Sequence, residues 1–260
     1  MLVCGTGTEV GKTWAAARLL EVLRGRGLTV AARKPAQSFD VDRSGARLGG
    51  PTDAEVLGAA SGEGPGVVCH AFRSYHRAMA PPMAAEALGL PGFTVADLAD
   101  ELHWPDHAVD VGVVETAGGV RSPQADDGDV TDLVSRLRPE TVLLVADAGL
   151  GTINAVRLSV DALAPVAGGS ALVVALDRYD PHHDIHRRNR RWLADRVGLD
   201  TVVLPGDEER LADRVSGDGP AAPGPVDEAG EESFPASDPP SSWSGEDPRD
   251  LGRGRAVPPG

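Results

Sequence analysis

The chain has 260 residues, a hydrophobic fraction of 41% and a formal net charge of −14 at pH 7. A chain of this length and apolar content can bury a sizeable core, and its negative field argues against nucleic acid or an anionic membrane surface as partners. The sequence holds no apolar run near the roughly 20 residues that span a bilayer, and its first residues do not show a basic segment followed by an apolar one. Its two cysteines are Cys4 and Cys69. We therefore expect a cytoplasmic protein whose cysteines are small core residues.

Short apolar runs alternate with amphipathic stretches over residues 1–215. Seven of the apolar runs are predicted to be strands: Met1–Cys4, Leu28–Arg33, Val67–Phe72, Val111–Glu115, Thr141–Ala146, Ala171–Leu176 and Thr201–Leu204. The predicted helices are Lys12–Arg26, Asp53–Ala60, Thr94–Leu102 with a capping box of Thr94 and Asp97, Val130–Leu137, Ile153–Leu163 and Ile185–Val197. Apolar strands separated by helices indicate an α/β fold with a mostly parallel seven-stranded sheet between two helical layers, and ligands of such sheets bind at the carboxyl ends of the strands.

The composition changes near Ser216 to proline, glycine, serine and acidic residues, with hardly any apolar periodicity. Residues 218–260 hold nine acidic side chains and three arginines. Such a composition cannot bury enough apolar surface to offset the entropy of ordering. We predict one domain over residues 1–215 and a disordered acidic tail over 216–260.

Lysine is scarce in this chain, because Lys12 and Lys34 are the only lysines among 25 basic residues. Arginine therefore serves wherever a generic positive charge is needed. A compact ammonium group on a flexible stem suits phosphate chemistry better than a planar guanidinium in many sites. The two lysines are accordingly candidates for function.

The run from Gly5 to Thr13, GTGTEVGKT, follows the first strand and opens the first helix. Glycines in such a loop let backbone N–H groups surround an anion, and the helix N-terminus adds positive potential. Lys12 is placed to reach the β and γ phosphates, and the Thr13 hydroxyl to bind Mg²⁺. The motif predicts the three-layer fold of P-loop nucleotide-binding proteins, although the loop is one residue longer than the common spacing.

Polar residues also follow other predicted strands. Lys34 and Ser38 end the second strand, so both should face the phosphates held by Lys12, because parallel strands place their carboxyl ends side by side. Glu115, followed by glycines, has the position of an acidic magnesium ligand. Asp53 is either a second acidic group or a carboxylate favoured by a helix dipole.

The run from Ala148 to Asn154, AGLGTIN, joins a predicted strand to a helix. A helix N-terminus of this kind can bind a carboxylate without a charged side chain. A plain glycine turn with a helix cap explains the same residues equally well. The sequence leaves both interpretations open.

Six segments in this order resemble the dethiobiotin synthetase family: GTGTEVGKT, KPAQS, TDAEVL, APPMAAEALG, VETAGG and ADAGLGTINA. The resemblance covers residues 2–178 and implies a homodimeric ligase that depends on ATP and Mg²⁺. It implies that Lys34 and Lys12 are catalytic. It also implies a set of nucleotide-binding residues: Glu9, Val10, Gly11, Lys12, Thr13, Trp14, Glu115, Thr116, Ala117, Gly118 and Asp177. The implied magnesium ligands are Thr13, Asp53 and Glu115, and the implied substrate contacts are Ser38, Gly151, Thr152 and Asn154.

The resemblance also implies a reaction. Carbon dioxide adds to one amine of 7,8-diaminononanoate, ATP phosphorylates the resulting carbamate, and the second amine displaces phosphate to close a cyclic urea. Such a reaction demands positioning and charge neutralisation more than covalent chemistry from the protein. The implied partners are therefore the diamine, carbon dioxide and ATP.

Three residues depart from the family pattern. Phe39 replaces a usual glycine, Thr116 interrupts a usual Glu-Gly-Ala-Gly-Gly, and Asp177 stands where an asparagine typically contacts the base. Because a carboxylate accepts hydrogen bonds and donates none, Asp177 predicts an altered nucleotide preference. One alternative function is a nucleotide-switch ATPase of the partitioning or iron-protein type, although its extra early-loop lysine is missing here. The other is a paralogue that acts on another amine substrate.

Overall fold

The computed structural model describes residues 1–217. Its strands are β1 (Leu2–Gly5), β2 (Val30–Arg33), β3 (Gln37–Ser38), β4 (Ser74–Tyr75), β5 (Val111–Glu115), β6 (Thr141–Asp147), β7 (Ala171–Asp177) and β8 (Asp200–Val203). Its helices are α1 (Lys12–Gly25), α2 (Asp53–Ser61), α3 (Pro65–Val68), α4 (Pro81–Ala87), α5 (Val95–Asp100), α6 (Val130–Leu137), α7 (Thr152–Ala167), α8 (Asp184–Arg191) and α9 (Glu208–Ser216). The predicted acidic tail lies outside the described residues from position 218 onward, so its disorder stays a prediction.

Six strands form one parallel sheet in the order β2-β5-β1-β6-β7-β8. The central strand β1 pairs with β5 on one side and β6 on the other, so that Val3 lies level with Glu115 and Leu143. Short strands β3 and β4 pair separately. This order places the carboxyl ends of β1, β2 and β5 side by side, where the phosphate-loop motif, Lys34 and Glu115 stand.

Each face of the sheet has its own apolar core. One core packs α1, α2 and α9 on the sheet and contains Leu20, Leu57 and Leu211. The other packs α5, α6 and α7 and contains Leu133 and Leu163. Since both faces are covered, the strands are apolar throughout, as the sequence pattern indicated. The predicted α/β fold with two helical layers is confirmed.

One predicted strand is wrong. The segment Val67–Phe72 spans the end of α3 and a 3₁₀ turn at Ala71–Arg73, so the main sheet has six strands and not seven. Pro65 occupies the first turn of α3, where its fixed φ favours a helix. A short apolar run is compatible with a strand or a buried helix, and periodicity alone does not separate them.

Helix starts follow the sequence signals in two different ways. The predicted capping box of α5 is present, since Thr94 and Asp97 bond each other's backbone, and Thr52 caps α2 in the same manner. By contrast α1 and α7 begin after the left-handed glycines Gly11 and Gly151, with no side-chain cap among the described residues. The first amide groups of α1 therefore stay available for a ligand, whereas the amide of Thr152 in α7 donates to the carbonyl of Gly149 at 3.4 Å.

Cys4 and Cys69 are buried free cysteines, as predicted. Burial raises the pKa of each thiol to about 12, so both remain protonated at neutral pH. Over residues 1–217, no helix combines the length and apolar character needed to cross a membrane.

Candidate functional site

The loop between β1 and α1 curls back over its own lysine. The Nζ atom of Lys12 donates a hydrogen bond to the carbonyl of Gly7 at 2.8 Å. Gly5 has no room for a side chain, because an added Cβ would lie 2.8 Å from Val10 and 2.9 Å from the Lys12 stem. The loop therefore wraps Lys12 closely, which holds its ammonium group at the start of α1.

Lys34 is 2% exposed and lies between two carboxylates. Its Nζ atom is 2.6 Å from Oε1 of Glu115 and 2.7 Å from Oδ2 of Asp53. Burial alone would lower the pKa of Lys34, but the attraction of Glu115 and then Asp53 outweighs burial and raises it. Lys34 is therefore a permanently charged ammonium group at the end of β2.

Thr13 joins the same cluster through its hydroxyl. The Oγ1 atom lies 2.9 Å from Oδ1 of Asp53 and 2.9 Å from Oε1 of Glu115. A hydroxyl has one proton and can donate fully to only one of these oxygens. The other carboxylate oxygen of Glu115, Oε2, is buried without a hydrogen-bond partner in the described structure. These hard oxygen atoms, in excess of their donors, fit a divalent cation such as Mg²⁺.

Thr13, Lys34 and Asp53 of this cluster line a cleft of about 510 Å³, whereas Glu115 is fully buried and does not line it. Lys12 and Lys34 both line the cleft, and burial followed by repulsion from Lys34 lowers the pKa of Lys12. Two neighbouring ammonium groups in a partly buried cleft favour a multiply charged anion. The lining residues are Thr8, Glu9, Gly11, Lys12, Thr13, Trp14, Lys34, Gln37, Ser38, Asp53, Ala117, Gly118 and Arg178.

Ser38 lines this cleft, and its hydroxyl donates to the carbonyl of Met79 at 2.7 Å. The adjacent Gln37, which the sequence analysis missed, accepts from the amide of Ala54 at 3.0 Å and donates to Ser74 at 2.9 Å. Gln37 thus holds the start of α2, and with it Asp53, against the Lys34 segment. The sequence signal that could have identified Gln37 as a site residue was its position inside the KPAQS segment.

The segment after β5 approaches the phosphate loop closely. An added Cβ at Gly119 would lie 3.2 Å from the Cα atom of Gly7. Thr116 is buried and its hydroxyl donates to the carbonyl of Val3 at 3.3 Å, so this departure from the family pattern is bonded into the sheet. Ala117 and Gly118 line the cleft instead.

Gly151, Thr152 and Asn154 do not line the Lys34 cleft. Asn154 lines a second, more open groove of about 600 Å³, and Thr8 of the phosphate loop lines both spaces. Thr152 is buried at the start of α7, and its hydroxyl has no hydrogen-bond partner in the described structure. Within one chain, the predicted substrate contacts therefore fall into two separate groups.

The end of β7 contacts the phosphate loop from the opposite side. Asp177 is buried, and burial raises the pKa of its carboxyl group. A Cβ added at Gly11 would overlap this carboxylate, and Gly11 also has a φ of +94°. Arg178, which the sequence analysis missed, lines the cleft next to Asp177.

Replacing Gly11 with alanine should reduce nucleotide binding at least about tenfold, because the side chain would push Asp177 away and strain a left-handed residue by about 1–3 kcal/mol. Calorimetric titration with ADP measures this loss. The matched control is Gly25→Ala at the end of α1, where an added Cβ meets no atom within 4 Å. Wild-type affinity in Gly11→Ala would contradict the contact.

A family model described as an AAA domain matches residues 1–176. The ATP-dependent dethiobiotin synthetase of Corynebacterium efficiens is 38% identical over 162 residues, which cover 62% of this chain and 68% of that protein. The ATP-dependent dethiobiotin synthetase of Rhodococcus jostii is 33% identical over 213 residues, which cover 82% of this chain and 88% of that protein. The chain belongs to the dethiobiotin synthetase family. The family predicted from six sequence motifs is thereby confirmed, together with its class of ATP-using ligases.

In this member of the dethiobiotin synthetase family, the matched residues 1–176 include the phosphate loop, Lys34, Asp53 and Glu115. The structure brings the phosphate loop, Lys34 and Asp53 into one cleft. Glu115 does not line that cleft, but it contacts Lys34 and Thr13 from a fully buried position. The roles of the individual residues stay predictions.

Proposed function

We propose that the chain converts 7,8-diaminononanoate, carbon dioxide and ATP into dethiobiotin, ADP and phosphate in biotin biosynthesis. The main support is the position of Lys34, which shares one cleft with Lys12 and contacts both carboxylates beside Thr13. A synthetic ligase needs positive charge close to the transferred phosphoryl group, and the two ammonium groups that line this cleft supply it.

Each charged group has a distinct proposed role. Lys12 and the amide groups of the phosphate loop bind the triphosphate, together with Glu9, Val10 and Trp14. Lys34 stabilises the negative charge that develops while the phosphoryl group moves. Thr13, Asp53 and Glu115 would hold Mg²⁺, which supplies charge neutralisation on the phosphate oxygens when bound.

The reaction proceeds in three steps. An amine of the substrate attacks carbon dioxide and loses a proton, which gives a carbamate. A carbamate oxygen attacks the γ-phosphorus of ATP and ADP leaves, so that a carbamic-phosphoric anhydride forms. The second amine attacks the carbonyl carbon, expels phosphate and loses a proton, which closes the cyclic urea. The protein contributes mainly by holding the reacting groups in line.

Ser38 is proposed to contact the substrate near Lys34, and Gly151, Thr152 and Asn154 to bind its carboxylate tail. We propose a homodimer, because Ser38 and Asn154 line two different spaces of one chain and a second copy would bring the two groups together. Two exposed apolar side chains support this arrangement: Leu158, which lines the second groove, and Leu150 in the loop before α7. The proposed compartment is the cytoplasm.

A product assay on the full chain tests the proposal. ATP, Mg²⁺, bicarbonate and the diamine should together yield dethiobiotin by mass spectrometry, and the gene should restore growth of a biotin auxotroph that lacks this step. A nucleotide switch would instead hydrolyse ATP without the diamine and respond to a protein or DNA partner. A drifted paralogue would form a cyclic urea from a different amine and fail in the auxotroph.

Asp177→Asn should shift the ratio of kcat/KM for ATP over other nucleoside triphosphates by about tenfold toward ATP, since an amide can both donate to and accept from adenine. Initial rates with ATP, GTP and CTP measure the ratio. Asp106→Asn, at an exposed position, is the control and should leave the ratio unchanged. Identical kinetics for Asp177→Asn and the unmodified chain would reject a base contact by Asp177.

A further inference from the structure

We propose that Arg178 is a positioning residue that holds the phosphate loop in its binding conformation and links it to the loop before α7. The inference rests on the proposed function, since it assumes that the cleft binds a nucleotide. The contacts of Arg178 support this inference, because its guanidinium group lies between the phosphate loop and the loop before α7.

The first contact is with the phosphate loop. The Nη2 atom of Arg178 donates to the carbonyl of Glu9 at 2.6 Å. Glu9 has a φ of 59° and Arg178 a φ of 56°, so both adopt the left-handed conformation that non-glycine residues rarely accept. Such strain persists where surrounding contacts impose it. Arg178 supplies a charge-assisted bond to the strained residue Glu9.

A second contact with the phosphate loop comes from the residue before Arg178. Asp177, the neighbour of Arg178, places its carboxylate against the backbone of Gly11, where an added Cβ would overlap it. The last residue of β7 and its successor therefore touch the phosphate loop at Gly11 and at Glu9. The two contacts bracket Val10 and fix the turn that leads into α1.

The third contact reaches the other loop. The Nη1 atom of Arg178 donates to Oδ2 of Asp147 at 3.1 Å, and Oδ1 of Asp147 accepts from the amide of Gly149 at 2.7 Å. Asn189 donates to the carbonyls of Ala148 and Gly149 at 2.9 and 2.7 Å. The loop before α7 is thus held firmly, and Arg178 ties the phosphate loop to this rigid support.

The exposure of these groups separates positioning from stability. The side chains of Arg178 and Asp147 are 58% and 48% exposed. Ion pairs with this exposure contribute little to the free energy of unfolding. Losing Arg178 should therefore leave the fold intact and release Glu9, whose loop would then sample conformations that do not bind phosphate.

The test is calorimetric titration of the full-length chain with ADP. Arg178→Ala should bind ADP about tenfold more weakly, with a melting temperature within about 2 °C of the unmodified chain. The KM for ATP should rise by a similar factor, with kcat changed less than about threefold. Arg178→Lys, which can keep the bond to Glu9 but cannot bridge both loops, should be intermediate. Arg136→Ala, an exposed arginine paired with Asp100, is the control and should bind normally.

Asp147→Asn tests the link between the loops. It should weaken ADP binding about threefold, and the double variant with Arg178→Ala should be no weaker than Arg178→Ala alone, because both changes break one linkage. Additive losses, or wild-type ADP affinity in Arg178→Ala, would overturn the inference even in a chain that makes dethiobiotin. A chain that binds ADP but makes no dethiobiotin would reject the proposed function alone, and a chain that binds no ADP would reject both.

Discussion

Turnover of Lys34→Ala should fall at least about a thousandfold, while affinity for ADP should change less than about fivefold. Lys34 lies at the end of β2 and does not bond the phosphate loop, whereas Lys12 donates to Gly7 within that loop. Removing Lys34 therefore removes charge stabilisation during phosphoryl transfer but leaves most of the nucleotide contacts. A product assay and a calorimetric titration measure the two effects separately.

One further variant and a check of stability make the Lys34 result specific. Lys12→Ala should show the opposite pattern, with ADP affinity lost first, because Lys12 belongs to the loop itself. Lys34→Ala leaves the buried carboxylate of Glu115 without its closest partner, which costs about 3–5 kcal/mol of stability. Assays therefore run well below the melting temperature of the variant, determined by circular dichroism. Strong residual turnover in a folded Lys34→Ala chain would contradict the assignment of Lys34.

Glu115→Gln should lower kcat at least about a hundredfold and raise the Mg²⁺ concentration for half-maximal rate about tenfold. The amide keeps the shape of the carboxylate but removes its charge from the cluster of Thr13, Asp53 and Lys34. Steady-state rates over a magnesium titration measure both quantities. Chelation of the metal should abolish turnover of the unmodified chain, and added Mg²⁺ should restore it.

Glu63→Gln is the matched control for Glu115. Glu63 accepts hydrogen bonds from Arg33 and from the amide of Ala32, so it is also a largely buried carboxylate at β2. Its partners are Arg33 and Ala32, whereas Glu115 contacts Lys34 and Thr13 of the proposed metal site. Removing the Glu63 carboxylate should affect stability and leave the magnesium requirement unchanged. Equal magnesium dependence in Glu115→Gln and the unmodified chain would remove Glu115 from the proposed metal site.

The local features of the site could be predicted from sequence because they depend on neighbouring residues. Glycines before Lys12 identify a strand followed by a loop and a helix, and the capping box of Thr94 and Asp97 marks the start of α5. Asp53 shows the limit of such reasoning. Its carboxylate lies 2.7 Å from Lys34, but as an isolated acidic residue it was equally compatible with an ordinary helix start.

Local patterns could not reveal the contacts of Arg178 and Gln37, nor the conformation of Val67–Phe72. Arg178 reaches Glu9 across 169 positions of sequence, and no motif announces such a contact. Gln37 acts through Ala54 and Ser74, which come from two other parts of the chain. The segment Val67–Phe72 has the apolar composition of a strand, yet it is not one of the six strands that pair in the main sheet.

The amino-acid sequence by itself determined the class of fold, the phosphate loop, the two rare lysines and the family to which the chain belongs. Only the tertiary structure decided which residues share a cleft and which lie in the second groove. The physical reason is that hydrophobic periodicity defines strands and helices one at a time, whereas the order β2-β5-β1-β6-β7-β8 depends on packing between segments far apart in the chain. That order places Lys34 and Glu115 beside Lys12, whereas Asn154 lies in the second groove.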